Sequence, residues 1–310
     1  MIIQERAYSG ESDLRVMEAL ASETRKSNLH VTDLPYRFTS WAMDNPENSH
    51  LWSDEAGHLL AWAILQCPWA EVDFVCHPEA ESEILPKILT WADARSREHY
   101  EMIPLGTPAG EPGRFVNIFS DQAARIRALE AAGYTCQADM GEDSWSKVFM
   151  QRPADLPVKE YRIPEGFVVR PLAGESEADA YVRLHRETFR SQIMTVEWRK
   201  RMLRHPDYTP DLDLVVAAPD GRLAAFCICW LESHSSEKVG QIEPLGCHRD
   251  FRHYALGRVA LAEGLRKLQA HGAKKIYVET DNWRKTAFQL YESLGFQVVR
   301  DVLVYRKDYQ

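Results

Sequence analysis

The chain has 310 residues, more than most single hydrophobic cores hold, so two domains are expected. Apolar residues make up 45% and charged residues 27%, a globular balance that excludes a disordered or fibrous chain. A net charge of −9 opposes general binding to nucleic acid, whose affinity rests on neutralising phosphates with Lys and Arg, yet leaves room for a local basic patch facing one small anion.

The opening stretch, "MIIQERAYSGESDL", has no apolar targeting core, and no run approaches the roughly 18 apolar residues of a membrane span. We therefore expect a cytoplasmic location, no membrane partner and reduced cysteines. The pattern fixes no oligomeric state. Along the first half, "HLLAWAILQCP" and "AEVDFVCHPE" predict adjacent strands, "ILPKILTWADARSREH" a helix, and "DQAARIRALEAAGY" a second helix ending in Gly and an aromatic residue. Trp52, Trp62, Trp69 and Trp91 are expected in its core.

The Pro-bearing stretch "QRPADLPVKEYRIPEG" at 151–166 predicts a linker, which divides the chain into domains 1–152 and 153–310. Beyond it, "ESEADAYVRLHRETF" and "TVEWRKRMLRH" predict two helices, and Pro219, Asp220 and Gly221 a hairpin turn. "VGQIEPLGCH" predicts a third strand, and Leu256 to His271 a helix capped by Gly272. "KKIYVET" reads as a strand, "NWRKTAFQLYESLGF" as a helix, and "FQVVRDVLVYRKDY" as two last strands. Cys227 and Cys229 share one strand face and are expected to pack in the core, with no metal. Cys76-His77 rhymes with Cys247-His248, and Gly133-Tyr134 with Gly295-Phe296, in the same order of elements. The two halves thus read as an internal duplication.

Two segments of the second half carry a resemblance. Arg252-His253-Tyr254-Ala255-Leu256-Gly257, leading into a helix, is similar to the Arg/Gln-x-x-Gly-x-Gly/Ala pyrophosphate loop of the GCN5-related N-acetyltransferase (GNAT) superfamily. "DNWRKTAFQLYESLGF" resembles the family's ending Leu-Tyr-Glu-x-Leu-Gly-Phe after an Asn and a helix. The resemblance covers about residues 166 to 305, with the first half a worn copy. It implies an α/β fold of two tandem GNAT-like domains, each a mixed, mostly antiparallel sheet flanked by helices.

The resemblance also implies acetyl-CoA as cosubstrate and a small-molecule amine as acceptor. Its pyrophosphate needs N–H donors at a helix start, which residues 252 to 258 are placed to give, with Arg252 and Arg258 adding charge. The pantetheine amides need an open strand edge, which the resemblance assigns to Leu245, Gly246 and Cys247. Asn282 corresponds to a frequent CoA contact. Tyr291 falls where the family often keeps its general acid, and Glu243 lies on the strand that often supplies a base. Glu232 and Glu279 compete for the base role, as does His248. A non-catalytic CoA-binding or ligand-sensing module, and a purely structural tandem fold, remain alternatives.

Ala255 replaces the loop's first glycine. It keeps its N–H, and in helical dihedrals alanine is comfortable, so a donor is expected there. In the first half, aligning the Cys-His pairs sets Glu81 opposite Arg252, Ile84 opposite Ala255 and Pro86 opposite Gly257. An acid repels phosphate and proline has no N–H, so no CoA is expected in that copy.

Overall fold

The computed structural model describes residues 2–98, 113–138, 146–232 and 237–309. The chain divides into two compact units, Met1–Lys147 with Arg300–Gln310, and Val148–Val299. In the first, the elements run β1 (Gln4–Ala7), α1 (Glu11–Glu23), α2 (Leu34–Phe38), β2 (Ser49–Ser53), β3 (Leu59–Gln66), β4 (Glu71–Cys76), α3 (Glu81–Glu98), β5 (Gly113–Phe119), α4 (Ala123–Ala131) and the short β6 (Thr135–Cys136). The second opens on β7 (Ser146–Pro153) and continues with β8 (Val168–Pro171), α5 (Ala178–Phe189), α6 (Val196–Arg204), β9 (Asp213–Ala217) and β10 (Leu223–Glu232). It then runs through β11 (Val239–Cys247), α7 (Leu256–Ala270), β12 (Lys275–Asp281) and α8 (Lys285–Ser293) into β13 (Gln297–Asp308).

Each unit is a mixed, mostly antiparallel sheet flanked by helices. In the second, β8, β9, β10 and β11 are antiparallel neighbours, β12 joins β11 in parallel, and β7 lies beside β12. The first repeats that order: β1 to β4 are antiparallel neighbours and β5 joins β4 in parallel. Both predicted duplicate halves thus fold alike.

The strand after the last helix departs from expectation in two ways. It is one continuous strand, β13, where two were predicted. Its residues Val302–Asp308 pair antiparallel with Gly113–Phe119 of β5, which puts Arg300–Gln310 in the first unit although domain 153–310 was expected to hold them. Burial explains the placement: Val302, Val304 and Tyr305 are covered there, whereas Val298 and Val299 are exposed. Similarly, the boundary falls at Val148, so that most of β7 serves the second unit's sheet.

In the second unit's core, Leu256, Leu261, Leu265 and Leu268 of α7 pack on Leu214, Val216, Cys227 and Ile242 of the sheet, all buried. Gly264 lets α7 come close, since a Cβ there would meet the Cys229 sulfur at 2.7 Å. Cys227 and Cys229 are buried packing groups, their sulfurs 3.8 Å apart. Both predicted helix ends are closed by glycines with positive φ, Gly272 after α7 and Gly295 after α8. The core expectation for the tryptophans holds fully for Trp52 and Trp62, while Trp69 and Trp91 are half-buried. Among the described residues, no helix is long and apolar enough to cross a membrane.

Candidate active site

The second unit is open where β11 leaves β12. The two strands pair only over Val239–Gln241 and Lys275–Tyr277, yet β11 continues to Cys247, with Leu245, Gly246 and Cys247 bonded on their other side to β10. Among the described residues, the β12-facing edge of β11 beyond Gln241 therefore has no strand partner. A register shift between Cys227 and Cys229 on β10 marks an extra residue in β11 near Glu243 and Pro244. The opening is a cleft of about 1130 Å³. Its walls come from the end of α5, the end of β11, the start of α7 and the first two turns of α8.

Five cations line this cleft, Arg190, Arg252, Arg258, Arg284 and Lys285, and its lining includes no carboxylate. In a chain of net charge −9, that gathering of cations gives the cleft a local positive charge suited to an anion. Gly257 stands at its wall with nothing closer than 4.0 Å to a Cβ that would be added there, so an anion can approach bare backbone. Leu256 and Gly257 are the first two residues of α7, where N–H groups lack intrahelical acceptors and the macrodipole favours negative charge.

Ala255 departs from expectation. Its φ of 57° and ψ of 26° place it in the left-handed region, not in helical dihedrals, and its N–H donates to the Arg252 carbonyl at 3.3 Å. The position therefore demands what glycine supplies, and the donors for an anion begin one residue later. Ala255→Gly should stabilise the protein by about 1 kcal/mol, because relief of left-handed strain exceeds the added unfolded-state entropy of glycine. CoA affinity should be unchanged or modestly tighter. Urea unfolding and CoA titration of the variant check both; a loss of stability would show that Ala255 is not strained.

The remaining expected residues divide. Leu245, Gly246, Cys247, Arg252, Ala255, Gly257, Arg258 and Tyr291 all line the cleft. The Leu256 side chain is fully buried in the core, so only its backbone faces the loop. His253 and Tyr254 are exposed, their rings tilted against each other with centres 4.1 Å apart, and are not part of the lining. Asn282 is likewise exposed in the turn after β12 and lies off the cleft. Its expected place is taken by Arg284, which stands at the N-cap of α8, paired with Asp281 at 2.8 Å. Trp283 alone separates Asn282 from that cap.

Tyr291, at the end of the second turn of α8, is 7% exposed and packs edge-on against Phe296 at 5.7 Å. Burial raises its pKa well above the ordinary range, and the nearby Glu243 carboxylate and Cys227 push the same way, with Arg284 opposing them. Its hydroxyl is therefore a proton carrier at neutral pH. Glu243 is half-buried on β11 and within electrostatic reach of both Tyr291 and Tyr181, but it is not part of the cleft lining; nor are Glu232 and Glu279. His248 is buried off the lining, with Nε2 2.7 Å from Glu187 and Nδ1 accepting from the Asp250 N–H. It ties the end of α5 to the loop. Trp283, Arg284 and Lys285 were not foreseen; the "WRK" run before α8 was the available signal.

Among the described residues, the same region of the first unit is closed. Strands β4 and β5 pair only at Glu71 and Phe115, but the gap holds a cavity of about 20 Å³, room for roughly one water. The Arg125 guanidinium fills it, donating to Glu81 at 2.7 Å and to the Ser27 carbonyl at 2.6 Å, over the Phe74 ring. Glu81 is the first residue of α3, the equivalent of Leu256 in α7 and not of Arg252, because the connection from Cys76 is four residues shorter than that from Cys247. Pro86 accordingly sits inside α3, away from the loop, so the earlier alignment of Pro86 with Gly257 is corrected. What the first copy lacks is the loop itself.

Residues 178–296 match the model of the acetyltransferase (GNAT) family. They form a GNAT-family domain. That segment holds every residue of the cleft. A mycothiol acetyltransferase of Thermomonospora curvata is 30% identical over 151 residues, 47% of this chain and 50% of that protein. One from Streptomyces avermitilis is 28% identical over 195 residues, 59% of this chain and 62% of that protein. The matches thus span about half to three fifths of these relatives' lengths. In fold, the likeness extends beyond the GNAT-family domain. A GCN5-related N-acetyltransferase from Sphaerobacter thermophilus superposes with a TM-score of 0.66 at 17% identity, covering 99% of this chain and 95% of that one. A tandem GNAT protein from the clavulanic acid biosynthesis pathway gives 0.68 at 11% identity, covering 99% and 98%.

Proposed function

We propose that this chain is an N-acetyltransferase that moves an acetyl group from acetyl-CoA to a primary amine of a small molecule by direct attack. The observation that carries the reading is the cleft at the parted β11 and β12, rimmed by five cations and reaching Tyr291. Its parts fit acetyl-CoA: the start of α7 with Arg252 and Arg258 for the pyrophosphate, and the free edge of β11 up to Cys247 for the pantetheine amides. Curated relatives named mycothiol acetyltransferases support transfer of an acetyl group. When bound, acetyl-CoA supplies an activated carbonyl and a thiolate leaving group.

The chain's own residues then act on protons. Tyr291 O–H, neutral because it is buried, donates to the departing sulfur as the carbon–sulfur bond breaks. Glu243 accepts the proton lost by the attacking amine, through water, since its side chain lies off the cleft wall. The new carbon–nitrogen bond and the protonated thiol complete the exchange. Cys247 takes no part as a nucleophile: burial raises its thiol pKa to about 11, so it stays protonated.

Incubation with acetyl-CoA and a panel of small amines, following free thiol and acetylated product, tests the reading. Tight CoA binding with no thiol release on any amine would favour a sensing module instead. The plugged first unit carries its own expectation, that calorimetric titration with CoA gives one site per chain. Two sites of similar affinity would show that Arg125 and Glu81 yield to the ligand.

A further inference from the structure

We infer that the cleft reads the 3′-phosphate and adenine end of its cosubstrate, through Trp283, Lys285 and Arg190, and so discriminates CoA from 3′-dephospho-CoA. The inference rests on the acetyl-CoA reading and concerns the end of the molecule farthest from the chemistry.

The charge present exceeds what a pyrophosphate needs. A pyrophosphate diester brings two negative charges, and the start of α7 with Arg252 and Arg258 answers both. Arg190, Arg284 and Lys285 are surplus to that match, and they come from two other elements, the end of α5 and the start of α8. Arg284 is engaged by Asp281 at 2.8 Å. Among the described residues, Arg190 and Lys285 have no ion-pair partner. Clustered uncompensated cations repel one another, and a dianion between them removes that repulsion. A phosphate monoester carries the second charge that a diester lacks.

An aromatic platform accompanies them. Trp283 lines the same cleft and is 41% exposed, and the Arg284 guanidinium lies 5.1 Å from its ring centre, backing one part of the indole. A purine ring has a flat face that stacks on such a surface, a contact worth on the order of 1–3 kcal/mol in nucleic-acid binders. Two cations lining the same cleft as an exposed tryptophan suit a base joined to a phosphorylated ribose. An acyl-pantetheine without the nucleotide would leave all of it unused. Arg190 is anchored for this work: it closes α5 in the left-handed conformation, φ 53°, two residues after Thr188, whose methyl packs against Gly246. That contact holds the end of α5 against the end of β11.

Calorimetric titrations of CoA and 3′-dephospho-CoA into the full chain at low salt test the inference without relying on turnover. The wild type should bind CoA at least tenfold more tightly, and added salt should narrow the gap. Arg190→Gln with Lys285→Gln should bring CoA down to the level of dephospho-CoA while leaving dephospho-CoA within about twofold. Lys285→Arg with Arg190 intact should keep the preference, and Trp283→Ala should weaken both ligands alike. Equal binding of the two ligands by the wild type, or an equal loss of both in the double variant, overturns the inference and leaves the acetyl-CoA reading standing. Binding of neither ligand overturns both.

Discussion

Tyr291→Phe should lower kcat by about a hundredfold or more while leaving CoA affinity within about twofold. General acid catalysis contributes roughly 10²–10⁴-fold, and phenylalanine removes only the hydroxyl from a side chain whose ring stays packed on Phe296. A fall in kcat and kcat/KM together, with CoA binding preserved in a direct titration, identifies an interaction made in the transition state. A comparable loss of CoA affinity would make Tyr291 a packing group. The pH profile sharpens the test. Burial raises the Tyr291 pKa, so the hydroxyl stays protonated through the neutral and mildly alkaline range, and its ionisation should not limit the rate there. The same shift has a stability sign. The unfolded phenol ionises near pH 10 and the folded one only higher, so the contribution is fully present below about pH 10 and is lost as pH rises beyond it.

Arg199→Ala should destabilise the second unit by about 3–5 kcal/mol. Arg199 on α6 and Asp213 at the start of β9 form an ion pair with both side chains at most 1% exposed. The Tyr208 hydroxyl adds a hydrogen bond to Asp213 at 2.7 Å, and the guanidinium lies 3.9 Å from the Tyr181 ring centre. Removing the cation leaves a carboxylate buried without its charge partner, the costly way to break such a pair. Replacing both members with leucine should cost far less than Arg199→Ala alone, since no charge is then stranded. Urea unfolding of the three proteins decides it; a single-variant effect below about 1 kcal/mol would show that water reaches Asp213. Because α5 and α6 pack together and Arg190 follows α5, the single variant should also weaken CoA binding, as the double one should not.

These two residues differ in how they could have been found. Tyr291 was legible in the sequence because it is embedded in a local pattern, a helix followed by Leu-Gly-Phe, and local patterns survive in linear order. So were the pyrophosphate loop, the α7 periodicity and the glycine caps, each set by residues within a few positions of one another. Arg199 and Asp213 carried no such signal. An arginine in "EWRKR" reads as a solvated helix face, and only the approach of α6 to β9 buries it. Lys285 escaped notice for the same reason, being a single cation that the fold brings to one cleft with those of other elements.

Linear order was also silent on conformation and on strand exchange. The sequence shows alanine at position 255, but the left-handed dihedrals there come from how the turn Arg249–Tyr254 meets α7. Asn282 looked placed for the cleft, yet it is Trp283 and Arg284, its next two neighbours, that line it. By itself the sequence determined the duplication, the order of the second half's elements up to α8 and that half's resemblance to a family, because side-chain periodicity and short motifs are one-dimensional quantities. Only the tertiary structure decided which sheet takes β13, that Arg125 and Glu81 close the first cleft, and that five cations open on the second. Strand pairing, burial and the sum of charges depend on distances in space, which the spacing of residues along a chain does not contain.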